Sequence, residues 1–233
     1  MNLKKKMSLV LGTVVVATSL NVIGAFAETS SIDIQDNTRL RVQMLESKYL
    51  DNFMYEENKN LNTQQVVERF EKINSSYDVG EPFSEKDAEF VVNYANENNE
   101  ARQTDTKSFD RTKEKYGVKV RLKGYVKSTV NVLNHKFGGD YSSAVLKGSH
   151  TKSLSNQVSN SAYGLVGTSG TYIGLVHKGS VGNSTTSAWK YTQPLYSNKY
   201  KEYSAAGVVY TYTNAYVTVK TNAGSAFTLY AFD

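Results

Sequence analysis

Residues 118–132, VKVRLKGYVKSTVNV, constrain this chain more than any other stretch. Val118, Val120, Leu122, Val126, Val130 and Val132 take the even positions, with Gly124 and Ser128 between them. Lys119, Arg121, Lys123, Lys127, Thr129 and Asn131 take odd ones. Successive side chains of a strand point to opposite faces, so this period of two defines one long strand with an apolar and a cationic face. At about 3.3 Å per residue it would run close to ~50 Å, beyond the usual strand, and Gly124 is where a bend is expected.

Charge reverses just ahead of this strand. Residues 28–110 hold 18 acidic and 9 basic side chains, a net of −9. Residues 111–233 hold 4 acidic and 15 basic, a net of +11. Such a reversal marks a boundary and points to an electrostatic role.

The acidic part reads as helices. Residues 40–55 place Val42, Leu45, Tyr49 and Phe53 on one helical face, and 63–77 do the same with Val66, Phe70, Ile73 and Tyr77. Asn62 followed by Gln65 forms a capping-box pattern. Ser84 caps a third helix that buries Ala88, Val91, Val92 and Ala95, with Phe83 and Ala88 set as a hydrophobic staple. From 98 to 115 nearly every residue is polar, with Phe109 the one large apolar side chain, which reads as a linker.

The basic part reads as strands. Gly138, Gly139 and Asp140 suggest a turn, with 141–147 the antiparallel partner of the long strand. Residues 162–166 and 171–177 flank a hairpin at 167–170, and 187–192 carry the one tryptophan, Trp189. Two strands, 207–213 and 216–221, meet at Asn214 and Ala215, and a turn at 222–224 leads into 226–232. Roughly seven short strands without intervening helices predict an antiparallel β-sandwich or small β-barrel. The expected class is α+β: a signal segment 1–27, an acidic helical region 28–97, the linker 98–115 and a basic antiparallel β domain 116–233.

Lys4, Lys5 and Lys6, an apolar run over 9–20 and Ala25-Phe26-Ala27 form an export signal, cleaved between Ala27 and Glu28. The expected destination is therefore outside the cell. Cysteine is absent, so stability rests on burial, for which 17 tyrosines and 9 phenylalanines supply material.

No G-x-S-x-G elbow, H-E-x-x-H pair, acidic calcium loop or phosphate-binding glycine loop occurs. His135, His150 and His177 are widely spaced, and Asp140 and Glu202 are the one carboxylate pair with any prospect of glycoside chemistry. No catalytic residue, metal or cofactor is expected.

What remains is a basic surface rich in tyrosine. Lys119, Arg121, Lys123 and Lys127 project from one strand face, and Lys190, Tyr191, Tyr200 and Tyr203 form a second basic-aromatic cluster. Cations interleaved with rings hold anionic polymers, sugars or membrane surfaces. The first expectation is non-catalytic binding of an anionic cell-envelope, matrix or polysaccharide surface. The second is a secreted antibacterial or membrane-active toxin whose acidic helices form a pro-region over the basic sheet, processed at Arg111, Lys113 or Lys115. A hydrolase ranks third, and no nucleic-acid partner is expected because no such module is present.

Overall fold

In a computed structural model, residues 40–232 are described apart from 42, 45, 46, 51, 52, 99–101, 168, 169, 171 and 186–192. The signal segment with Ala27 and Glu28 lies outside the described residues, as do Lys190, Tyr191 and Trp189. Most of the described chain is antiparallel β structure in two sheets, with few helices.

Of the expected first helix, residues 40, 41, 43, 44 and 47–49 are helical and 53–55 are not, while Val42 and Leu45 of the expected stripe lie outside the described residues. A 3-10 turn follows at Glu56–Asn58. Helix α1 (Thr63–Ser76) opens with the expected capping box: Asn62 accepts from the Gln65 N–H and Gln65 accepts from the Asn62 N–H, both at 2.9 Å. Helix α2 (Glu85–Tyr94) opens on Ser84, whose hydroxyl accepts from the Asp87 N–H. Each cap satisfies donors that a helix start leaves unpaired.

Residues 98–115 are not a linker. After a two-residue strand β1 (Asn96–Glu97), strand β2 covers Arg102–Lys115 and pairs along its whole length with β3 (Val118–Asn131). β2 escapes an apolar pattern because it is an edge strand and sends one large apolar side chain, Phe109, into the core. Two other residues on Phe109's side are lysines that reach the opposite sheet. Lys107 Nζ donates to Asn96 Oδ1 and Lys113 Nζ to the Thr228 carbonyl, each at 2.8 Å. Arg111, Lys113 and Lys115 thus stand opposite Leu122, Val120 and Val118 in a ladder, and cleavage there would require the ladder to open.

The long strand forms as its alternation dictates. Val118, Val120, Leu122, Val126 and Val130 are all buried on one side of β3. Gly124 stands at φ 148°, and a Cβ there would overlap the Asp140 carbonyl and the Tyr141 backbone. β4 (Asn134–Lys147) follows a tight turn at Val132 and Leu133. The turn expected at Gly138-Gly139-Asp140 is mid-strand instead. A Cβ at Gly138 would overlap the Lys199 carbonyl of β7 (Leu195–Ser204), so these glycines serve close strand approach.

β5 (Thr151–Val166) and β6 (Tyr172–Thr185) form the expected hairpin, each much longer than the pattern suggested. The two short strands at 207–213 and 216–221 are one strand, β8 (Val208–Thr221), in which Asn214 and Ala215 are paired with Ser159 and Val158. β9 (Ala226–Tyr230) turns back onto β8 as expected.

One sheet has the order β2-β3-β4-β7; the other has the order β1-β8-β5-β6, with β9 also on β8. No closed barrel forms among the described residues. The sheets share a core in which Val120, Leu122, Val126, Phe137 and Tyr141 of the first meet Leu154, Val158, Val217, Val219 and Leu229 of the second. The helices sit on the second sheet: Phe70, Ile73, Phe90 and Val91 pack with Tyr163, Ile173, Leu175 and Tyr210. Phe70 stacks on Tyr212 at 3.8 Å between centroids. The connection between α1 and α2 binds the β6 edge, with the Gly80 and Phe83 N–H groups donating to the Leu175 and Ile173 carbonyls at 2.7 and 2.9 Å. Lys178 Nζ donates to the Asn74 and Tyr77 carbonyls, closing the C-terminal end of α1.

Candidate functional site

The register of the four-stranded sheet determines which side chains share its outer face. Opposite each buried β3 valine row lies a polar row: Thr106, Lys127, Gly138 and Tyr200; Ser108, Tyr125, Asp140 and Asn198; Asp110, Lys123, Ser142 and Tyr196. Arg121 and Lys119 continue the face toward one end of β3, and Thr129, Lys136 and Glu202 toward the other. The four β3 cations expected to project together do so. Lys136 and Lys147 of β4 join them: Lys136 precedes the expected strand 141–147, and the register shift at Lys119 and Val120 brings Lys147, an inward position by strict alternation with Val145, opposite Lys119.

These cations differ in what already holds them. Arg121 grips Asp110 through Nε at 2.7 Å and through Nη2, and Lys123 Nζ lies 3.8 Å from the same carboxylate. The hydrogen bonds from Arg121 hold the Asp110 carboxyl below the usual carboxylate range. Lys147 Nζ lies 3.1 Å from Glu114, and Lys136 Nζ 3.4 Å from Glu202. Lys119 and Lys127 make no ion pair among the described residues.

A dent of about 210 Å³ on this face is lined by Lys127, Thr129, Lys136 and Tyr200. Lys136 Nζ sits 5.4 Å from the Tyr200 ring centroid, over its face. Burial, the Tyr125 hydroxyl and the Asp140 carboxylate push Tyr200 up to about 12, so it stays a neutral donor at ordinary pH. Two ammonium groups, two hydroxyls and a ring can hold an anionic group and the rest of the molecule that carries it.

Tyr203 does not belong to this face. It lies on the inner side of β7, stacked on His177 at 3.7 Å between centroids and on His135 at 4.8 Å, three residues from Tyr200 and therefore opposite in direction. Nor do the acidic helices meet the cationic face, as the intramolecular reading expected. They are bound to the other sheet by the apolar cluster around Tyr163 and Tyr210. An apolar stripe outranks a net-charge complement because burial is short-ranged and salt does not screen it.

The three histidines serve structure. His135 is buried, with Nδ1 accepting from the Asn131 N–H and Nε2 against the Ala205 carbonyl at 2.8 Å. His150 Nε2 meets the Tyr116 carbonyl at 2.9 Å. Burial beside Lys201 and His135 pushes His177 down to about 4. Among the described residues no three metal-ligating side chains cluster. Asp140 and Glu202 stand on adjacent strands but four register positions apart, since Lys136 opposes Glu202 and Asp140 opposes Asn198. That offset is roughly 13 Å along the strand, wider than either glycosidase geometry.

Comparison with known proteins finds no matching family model, no matching curated protein and no matching solved structure.

Proposed function

We propose that this chain is an exported, non-catalytic β-sandwich that binds an anionic cell-envelope or matrix surface through the outer face of its four-stranded sheet. One observation carries the reading: Lys119, Arg121, Lys123, Lys127, Lys136 and Lys147 share a face on which no other described element packs, while the described helices are spent on the other sheet. The export-type segment at 1–27 supports an encounter with such surfaces outside the cell. Lys123, Lys136 and Lys147 have side chains 61 %, 49 % and 68 % exposed, enough to be reached without rearrangement.

The face works by summed attraction. Each exposed cation contributes little alone, and several acting on one polymer raise both encounter rate and affinity while remaining sensitive to salt. Retention on isolated cell walls and on anionic-polymer resin, followed across a salt gradient, tests it. Changing Lys119, Arg121, Lys123 and Lys127 together to Ser should shift elution to markedly lower salt. Elution at the parent salt concentration would remove the assignment.

A further inference from the structure

Building on that reading, we infer that the dent lined by Lys127, Thr129, Lys136 and Tyr200 is a subsite for one sugar ring of an acidic polysaccharide, and not for a bare string of anions. Its size limits the occupant first. About 210 Å³ equals roughly seven waters at ~30 Å³ each, and falls short of the ~300 Å³ at which pockets enclose whole drug-sized ligands. A dent of this size takes one monomer of a chain that continues over the face.

The rim is chemically mixed. Lys127 and Lys136 donate from ammonium groups, and Thr129 and Tyr200 add hydroxyls and a ring. Two carboxylates stand beside them: Glu202, 3.4 Å from Lys136 Nζ, and Asp140, near enough to Tyr200 to perturb it. Ionised carboxylates only accept hydrogen bonds. A polyphosphate has nothing to donate to them and meets both as like charges. A polymer of uronic acids brings one carboxylate per ring for the lysines and free hydroxyls for Glu202 and Asp140.

Spacing fits the same ligand. Lys127 and Lys123 are four residues apart on one strand face, about 13 Å, and Lys123 and Arg121 two apart, about 7 Å. A sparsely charged chain lying along β3 keeps an anion for each. The dent itself holds lysines and no guanidinium, so it makes no demand for a planar bidentate partner.

The test measures affinity of the full chain for polygalacturonate, long-chain polyphosphate and neutral dextran at one fixed salt concentration. It compares the parent with Lys127→Ser and Glu202→Gln, which change exposed side chains and leave the core untouched. Lys127→Ser should weaken polygalacturonate binding roughly tenfold, the loss of one charge-assisted contact. Glu202→Gln should weaken polygalacturonate several-fold and strengthen polyphosphate. Strengthening of both polymers, or tighter binding of polyphosphate than polygalacturonate by the parent, overturns the sugar subsite while leaving an anion-binding face. Dextran bound as tightly as polygalacturonate overturns the role of charge, and failure of both anionic polymers to bind overturns the function itself.

Discussion

Two carboxylates show how position divides the work of residues with the same chemistry. Glu89 in α2 is fully buried, yet it accepts from the Met54 N–H at 2.7 Å, the Tyr55 N–H at 3.3 Å and the Asn58 side-chain amide at 3.0 Å. It ties the segment before the 3-10 turn to the helix layer. Replacing it with Ala removes the common acceptor of three hydrogen bonds at a buried site, and about 2–4 kcal/mol of stability should be lost in urea unfolding. Asp110 instead lies on the open face, occupying Arg121 and lying near Lys123 as a ligand anion would. Asp110→Asn should leave the melting temperature nearly unchanged and raise the salt concentration needed to elute the protein from anionic resin. Earlier elution would show that Asp110 positions Arg121 for the ligand.

At the scale of the element, β3 separates stability from binding by parity alone. Leu122→Ala opens a cavity in the shared core and should cost about 2–4 kcal/mol, with binding preserved in the fraction that folds. Lys123→Ser, one residue on and facing out, should stay within about 0.5 kcal/mol in stability and weaken polymer retention. The neighbouring edge strand makes a separate prediction. Trypsin cleaves extended, unpaired backbone, so Arg111, Lys113 and Lys115 in β2 should resist it until the fold opens. Limited proteolysis read by mass spectrometry checks this; cuts at those residues in native buffer would mean the β2–β3 ladder opens locally.

At the scale of the whole molecule, one of the contacts between the sheets is one that acid should loosen. Tyr203 of β7 lies between His135 of β4 and His177 of β6, so this stack joins the four-stranded sheet to the edge of the other. His177 is held neutral because its ring is buried near Lys201 and His135, with its own value near 4 against an ordinary 6.5. The unfolded chain therefore binds a proton at higher pH than the folded one. No penalty exists above about pH 6.5; it grows as pH falls from there toward 4 and then levels off. Melting temperature should fall through that window, and His177→Phe should flatten the fall. An equal fall in both proteins would place the acid sensitivity elsewhere.

Local pattern determined a definite part of this architecture. The two-faced β3, the capping box of α1, the Ser84 cap of α2 and the β5–β6 and β8–β9 hairpins are all readable because each depends on neighbours within a few residues. The cationic row of Lys119, Arg121, Lys123 and Lys127 was readable for the same reason. Tertiary structure alone decided the rest. β2 looked like a linker because an edge strand needs burial on little of its length, although its ladder partner β3 follows at once across the turn at Tyr116 and Gly117. Most of β5 has no apolar alternation to read, because its inward Asn156 and Asn160 suit a core only where Ser143, the Leu195 carbonyl and Thr213 accept from their side-chain amides. Gly138 and Gly139 looked like a turn, since sequence cannot show that β7 and β3 approach too closely for a side chain. Periodicity fixes the face of a strand, because it is local; whether that face stays open depends on which surface the helices bury, and they bury the other sheet.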